Sequence, residues 1–300
     1  MSTRIPVGPQ HPSLIEPEHL DVKVDGETIT AVDVHLGYIH RGIEGLMQKK
    51  TYQQNVFIAE RICGICSGVH TSTYSEGIES LLGLEVPKRA KYIRTIILEL
   101  ERLHSHYLWL GLVAYEIGLD TAFQISWRDR EIVLDILEKI TGNRINYAMN
   151  TIGGVRRDIT KEMQKETLQG IDALWEKTKY YKEVFLKDSI VRARTKNVGV
   201  LKKRDAERYS VAGPIVRASS VNFDVRTTNY AAYADVKWKP IVRHGCDINS
   251  RLDVRIEEVF DALNIIRQCI ENMPEGPLKT IAPQIVPKGE TIMRTEAPRG

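Results

Sequence analysis

From Pro87 onward, Ile93, Ile96, Ile97, Leu100, Leu103, Tyr107, Leu110 and Val113 recur at three- and four-residue intervals, which on a helix places them along one face. Proline suits a first helical turn, where its missing N–H costs nothing, so the helix is predicted to begin at Pro87. An apolar stripe of this length needs cover along its whole run. It is therefore read as the central helix, with other amphipathic segments packed around it. Residues 122–140 supply one, closing at Thr141-Gly142-Asn143 as a C-cap. Residues 161–185 supply another, with Leu168, Ile171, Leu174 and Trp175 on one face and lysines on the solvated side, and residues 254–273 a third.

The amino-terminal part reads differently. Gly8-Pro9-Gln10-His11-Pro12 cannot be helical and is predicted as a rigid loop. Over residues 19–36, Leu20, Val22, Val24, Ile29, Val32 and Val34 alternate about Asp25-Gly26, a β-hairpin signature. Residues 53–82 read as one helical region with Ile58, Ile62, Ile65 and Val69 along a stripe. The stretch 146–158, with Gly153-Gly154 and Arg156-Arg157, is a connection with a close backbone approach. Residues 188–240, with short apolar runs around 210–222, are predicted as loops and small strands, and 274–300 as a proline-punctuated tail. The fold class expected is mainly α with a small β portion (α+β), one domain over residues 1–300.

A content of 42% hydrophobic and 27% charged residues is ample for a core, and a net charge of +3 with mixed signs implies no nucleic-acid partner. The start lacks a secretory signal, and the longest apolar stretch, near Tyr107 to Tyr115, falls short of the roughly 18 residues of a membrane span. The expected location is cytoplasmic, with any membrane attachment supplied by partners and no disulfide framework.

Chemistry concentrates at Cys63-Gly64-Ile65-Cys66, with His70 four residues on. Two thiols at this spacing can grip one soft metal from a single turn, Gly64 easing the bend, but they make only half of a four-ligand site. Half a zinc site, a redox dithiol and a nickel site all fit this spacing. Cys246 and Cys269 are isolated and read as structural thiols. His104 and His106, two apart, point to different helix faces and share no metal.

Taken together, Gly8-Pro9-Gln10-His11-Pro12, His40-Arg41-Gly42-Ile43-Glu44, the run from Glu60 to Cys66, Gly142-Asn143-Arg144, Ile152-Gly153-Gly154-Val155-Arg156 and Glu296-Ala297-Pro298-Arg299-Gly300 resemble the large subunit of energy-converting nickel-iron hydrogenases, of the Ech and carbon-monoxide-induced types. A more distant likeness is to the 49-kDa subunit of respiratory complex I, which shares the proline-rich start and the His-Arg-Gly-Ile-Glu run but not the cysteine pair. The resemblance covers essentially the whole chain. It implies a helical core with an amino-terminal β-hairpin and a nickel-iron centre carrying carbon monoxide and cyanide, held by two Cys-x-x-Cys pairs. The family's second pair follows the Glu-Ala-Pro-Arg-Gly run, so the expectation is a large-subunit domain without the carboxy-terminal segment that bears it.

By the same resemblance Cys63 would be a terminal nickel ligand, Cys66 a thiolate bridging nickel and iron, and His70 the histidine that hydrogen-bonds the bridging sulfur. Arg299 would lie over the open position between the metals, and Glu16 would begin proton export. Glu44 matches a carboxylate that binds a structural magnesium in standard hydrogenases. Ser105 stands where those enzymes carry an aspartate. Read without the family, His70 is more often a satisfied helix histidine, Glu44 an ion pair at a helix start, and Arg299 a frayed surface residue. The implied reaction is reversible dihydrogen oxidation and proton reduction. Its implied partners are an iron-sulfur small subunit, ferredoxin and ion-translocating membrane subunits, on the cytoplasmic side of the membrane. The alternatives are a complex-I-like subunit serving quinone or sulfur reduction, and a zinc-stapled module.

Overall fold

A computed structural model describes residues 2–300 apart from Ser13 and Ile15. The chain divides into two compact units, Met1–Lys50 and Thr51–Gly300.

The first unit is built on an antiparallel sheet of β1 (Ser2–Val7), β2 (His19–Asp25) and β3 (Thr28–His35), in the order β1-β2-β3. The predicted hairpin is β2–β3, closed by a two-residue turn whose first member, Gly26, has φ +61°, a conformation that glycine adopts at least cost. β1 was not expected; Pro6 is tolerated there because β1 pairs only with β2. On one face Asp21 is the buried residue, ion-paired to Arg4, with His19 and His35 alongside at 3.6 and 3.5 Å. A short helix, α1 (Ile43–Met47), follows.

The second unit is helical and its centre is the predicted one. α4 (Lys88–Glu116) starts directly after Pro87, which serves as its N-cap. Its stripe is buried from Ile93 to Leu110, with Val113 partly so, and so is most of its circumference: Arg94, Glu99, Glu101, Arg102, His104, Ser105 and His106 are all buried as well. α5 (Asp120–Thr141), α6 (Lys161–Lys187) and α10 (Ile248–Glu271) enclose it, α5 and α10 packing on α4 and α6 on both. α5 approaches α4 closely at Gly111, where a Cβ would lie 2.5 Å from the Trp127 ring. The C-cap of α5 is Gly142 at φ +86°, as the sequence predicts.

Two expectations are corrected. The region 53–82 is not one helix but α2 (Tyr52–Glu60) and α3 (Ser67–Leu82), separated by a turn. Its apolar stripe breaks accordingly: Ile62 is exposed, and α2 instead buries Asn55, Val56, Ala59 and Glu60. Residues 188–240 hold no strand among the described residues. They form short helices α7 (Ser189–Thr195), α8 (Lys203–Arg208) and α9 (Gly213–Ala218) and two 3-10 turns. The connection at 146–158 carries the close approach expected of it. β4 (Asn150–Thr151) and β5 (Gly154–Val155) pair, and Cβ atoms at Gly153 and Gly154 would lie 2.2 and 2.1 Å from the carbonyl oxygens of Thr280 and Leu278.

Candidate metal centre

The two cysteines lie on the turn between α2 and α3. Cys63 and Cys66 are joined by a side-chain hydrogen bond, neither is in a disulfide, and the Cys63 sulfur accepts from the Ile65 N–H at 3.4 Å. Cys66 is the N-cap of α3 and packs against the edge of the core, as expected. The bend does not depend on a special glycine conformation, because Gly64 lies outside the left-handed region. The turn is instead held at both ends by buried carboxylates. On the α2 side Glu60 accepts from the Ala148 N–H at 2.5 Å and from Arg61 at 3.2 Å. On the α3 side Glu101, reaching from α4, accepts from the N–H groups of Gly68 at 2.6 Å and Val69 at 2.9 Å.

The electrostatics follow from burial. Desolvation lifts the Glu101 carboxyl to about 8 despite those two N–H donors, the Cys63 thiol adding to the lift. The Cys66 thiol is pushed up first by its hydrogen bond with Cys63 and then by burial, Glu101 adding to this and Arg299 opposing it. Thiols held this way favour the protonated state until a cation replaces the proton.

Arg299 is half-buried, not frayed. Its Nε donates to Ser105 Oγ on α4 at 3.2 Å. What holds the segment in place is Glu296, whose carboxylate accepts from Arg217 Nη1 at 2.7 Å and the Val225 N–H at 2.9 Å. The Glu296 N–H donates to the Tyr230 hydroxyl at 3.0 Å, and its carbonyl accepts from Arg102 at 3.3 Å. Next to Ser105, His104 is held down to about 3 by burial and then by Arg130, so it is neutral. His106 pairs with Glu258 at 2.8 Å, so the two histidines serve different partners.

Cys63, Cys66, His70 and Arg299 all belong to the second unit, and Glu16 and Glu44 to the first. His70 lies on α3 one turn beyond Cys66, half-buried, with burial lowering its imidazole. Glu16 is exposed. Glu44 is exposed in the first turn of α1 and makes no ion pair among the described residues. No group of three or more His, Cys, Asp or Glu side chains able to hold a metal occurs among the described residues. The thiol pair is nevertheless a soft donor set, adjacent and unbridged, and fits one half of a four-thiolate site. Sequence reasoning missed Glu101 and Glu296. For Glu101 a signal existed: Ile96-Ile97-Leu98 spreads apolar side chains around α4, so charged residues between such positions must be buried and paired.

One helical unit thus brings a paired-thiol turn within electrostatic reach of an arginine from a distant segment, and the class it belongs to is that of the hydrogenase and complex I oxidoreductase subunits. The chain belongs to the family that unites the nickel-dependent hydrogenases, matched over residues 41–116, with the 49 Kd subunit of respiratory-chain NADH dehydrogenase, matched over residues 116–299. It is 41% identical to the membrane-bound hydrogenase subunit alpha of Pyrococcus furiosus, over 99% of this chain and 73% of that protein. It is 37% identical to the carbon monoxide-induced hydrogenase of Rhodospirillum rubrum, over 100% and 84%. Among solved structures it is similar to a chain of the membrane-bound sulfane sulfur reductase, an archaeal respiratory membrane complex. That similarity has a TM-score of 0.94 at 30% identity and covers 100% of this chain and 83% of the other. Among the described residues no helix is long and apolar enough to cross a membrane.

Proposed function

We propose that this chain is the catalytic large subunit of a membrane-associated, energy-converting nickel-iron hydrogenase, interconverting dihydrogen with protons and electrons. The observation that carries the reading is the unbridged contact of Cys63 and Cys66 at the start of α3, with Arg299 near enough to act on Cys66 electrostatically. Cys63 and Cys66 would hold one side of the nickel-iron centre, with two further thiolates completing it. When bound, that centre supplies the electrophile that makes dihydrogen acidic. The protein residues then have separable tasks. The two sulfurs would hold the metals, and one of the thiolates would accept a proton. Arg299, fixed through Ser105, keeps a cation beside the sulfurs and can orient or take up a proton. His70, one turn beyond Cys66 on α3, would orient a cysteine sulfur, and Glu16 would pass protons outward. Glu44 is the candidate for a magnesium ion. Electrons would leave through an iron-sulfur small subunit to ferredoxin, and ion translocation would belong to membrane subunits, with this chain peripheral on the cytoplasmic side.

Elemental analysis and infrared spectroscopy of the purified complex test this. Nickel and iron near one each, with carbon monoxide and cyanide bands, are expected. A fully assembled complex without nickel and without those bands would favour quinone or sulfur reduction, the reading that the 49 Kd match and the sulfane sulfur reductase likeness support. Zinc in place of both metals would favour a stapled structural module.

A further inference from the structure

The positive end of α3 is already occupied. A helix start presents unpaired N–H groups and attracts the nearest anion, and a cysteine at the N-cap ordinarily collects that benefit. Here Cys66 is the N-cap of a 16-residue helix, yet the N–H groups of Gly68 and Val69 donate to the Glu101 carboxylate, at 2.6 and 2.9 Å. Glu101 is fully buried and comes from α4, the most deeply embedded helix of the unit. The fit leaves no slack. A Cβ at Gly68 would lie 3.2 Å from Glu101 Oε1 and 3.4 Å from the Tyr147 ring. Ser67 Oγ, which donates to the Ile145 carbonyl at 2.6 Å, is 3.5 Å from the same carboxylate oxygen.

We propose that Glu101 is a positioning residue for the thiol pair: it pins the first turn of α3 to α4 and takes that turn's donors for itself, leaving the Cys66 sulfur's lone pairs for a soft metal. This rests on the reading of Cys63 and Cys66 as metal ligands. A sulfur that accepts backbone N–H bonds gives up electron density and becomes a poorer donor, so where these donors point decides how strongly Cys66 can bind. Pinning also keeps Cys66 beside Cys63, so a metal meets two preset ligands and orders neither on binding.

The test uses the full chain without metal, titrated with cadmium ions and followed by thiolate-to-metal absorption, beside the assembled complex read by infrared spectroscopy. In Glu101→Gln one amide N–H2 would face a backbone N–H, so one donor is released and the turn loosens. Cadmium affinity is expected to fall tenfold or more, and any carbon monoxide and cyanide bands of the loaded complex to shift. Gly68→Ala, which crowds the Glu101 carboxyl while leaving that side chain in place, is expected to weaken cadmium binding in the same direction and serves if the glutamine variant does not fold. Unchanged cadmium affinity in a folded variant, even with a lowered melting temperature, would reduce Glu101 to a helix cap and overturn the proposal. A wild-type complex without nickel whose cadmium affinity still depends on Glu101 would sink the hydrogenase reading and leave the positioning role standing.

Discussion

Cys66→Ala removes a half-buried sulfur, and the packing it forfeits costs only roughly 1 kcal/mol. The variant is therefore expected to fold, with a melting temperature within a few degrees of wild type, while its complex contains no nickel by elemental analysis and turns over no dihydrogen. Glu16→Gln separates a relay from a ligand. Retained nickel with turnover slowed about 100-fold, in the range usual for loss of an acid-base group, is the outcome expected. Nickel lost along with activity would move Glu16 out of the proton path. The thiol pair stands out in the sequence by its spacing, whereas Arg299 is singled out only by the family resemblance that Glu296-Ala297-Pro298-Arg299-Gly300 carries, its burial against Ser105 being a matter of the fold. For Glu101 only burial was legible, from the apolar residues spread around α4; nothing in a linear pattern says which helix start a buried carboxylate will reach.

Between elements, one clamp ties α3, α4 and the β4–β5 pair together. Arg94 on α4 donates to Glu79 on α3 at 2.8 and 2.6 Å and to the carbonyls of Thr151 and Gly154 at 3.0 and 2.9 Å, and the Gly153 N–H donates to Glu79 at 2.7 Å. Both side chains are almost completely buried. Removing one partner strands a charge and two backbone acceptors, so Arg94→Met is expected to cost about 3–5 kcal/mol, read from urea denaturation midpoints. The long helices α4, α5, α6 and α10 were predictable because each carries enough turns for an apolar stripe to declare itself. The break between α2 and α3 was hidden, since Ile58, Ile62, Ile65 and Val69 keep helical spacing through a turn that carboxylates, not breakers, hold open. The helices α7, α8 and α9 have six or seven residues each, too few to show a period. Local devices such as the Asp188 cap of α7, which accepts from Ile190 and Val191, stand in its place.

At the scale of the second unit, a buried ionic network joins α4, α9, α10, the 3-10 turn at Arg226 and the last residues of the chain. Glu99, Arg102, Arg217, Asp224, Arg226, Glu258 and Glu296 are all buried, linked by pairs such as Arg217 with Glu258 at 2.8 Å and Arg226 with Asp224 at 2.9 Å. At its margin Asp261 is lifted to about 7, by burial above all, although Arg226 stands 3.7 Å away. The sign is fixed by proton counting. Between about pH 4 and 7 the folded chain keeps a proton on Asp261 that the unfolded chain has released, so stability falls as pH rises across that window. Asp261→Asn removes this loss. Its melting temperature should match wild type near pH 4, gain steadily to pH 7, and hold a constant lead above it, worth at most a few kcal/mol. A lead that does not change with pH would refute the assignment. None of this network was visible from local sequence, since its members lie as far apart as Arg102 and Glu296, 194 positions.

That separation sets a schedule for biosynthesis. Arg102 and Arg217 emerge from the ribosome long before Glu296, and until it arrives two guanidinium groups at the heart of the bundle lack a counterion and a carbonyl that the finished protein supplies. A nascent chain can assemble its helices early, yet it cannot seat Arg299 beside Ser105 until almost the last of these residues has been translated. Closure of this interior is therefore a late event, whatever order the helices form in.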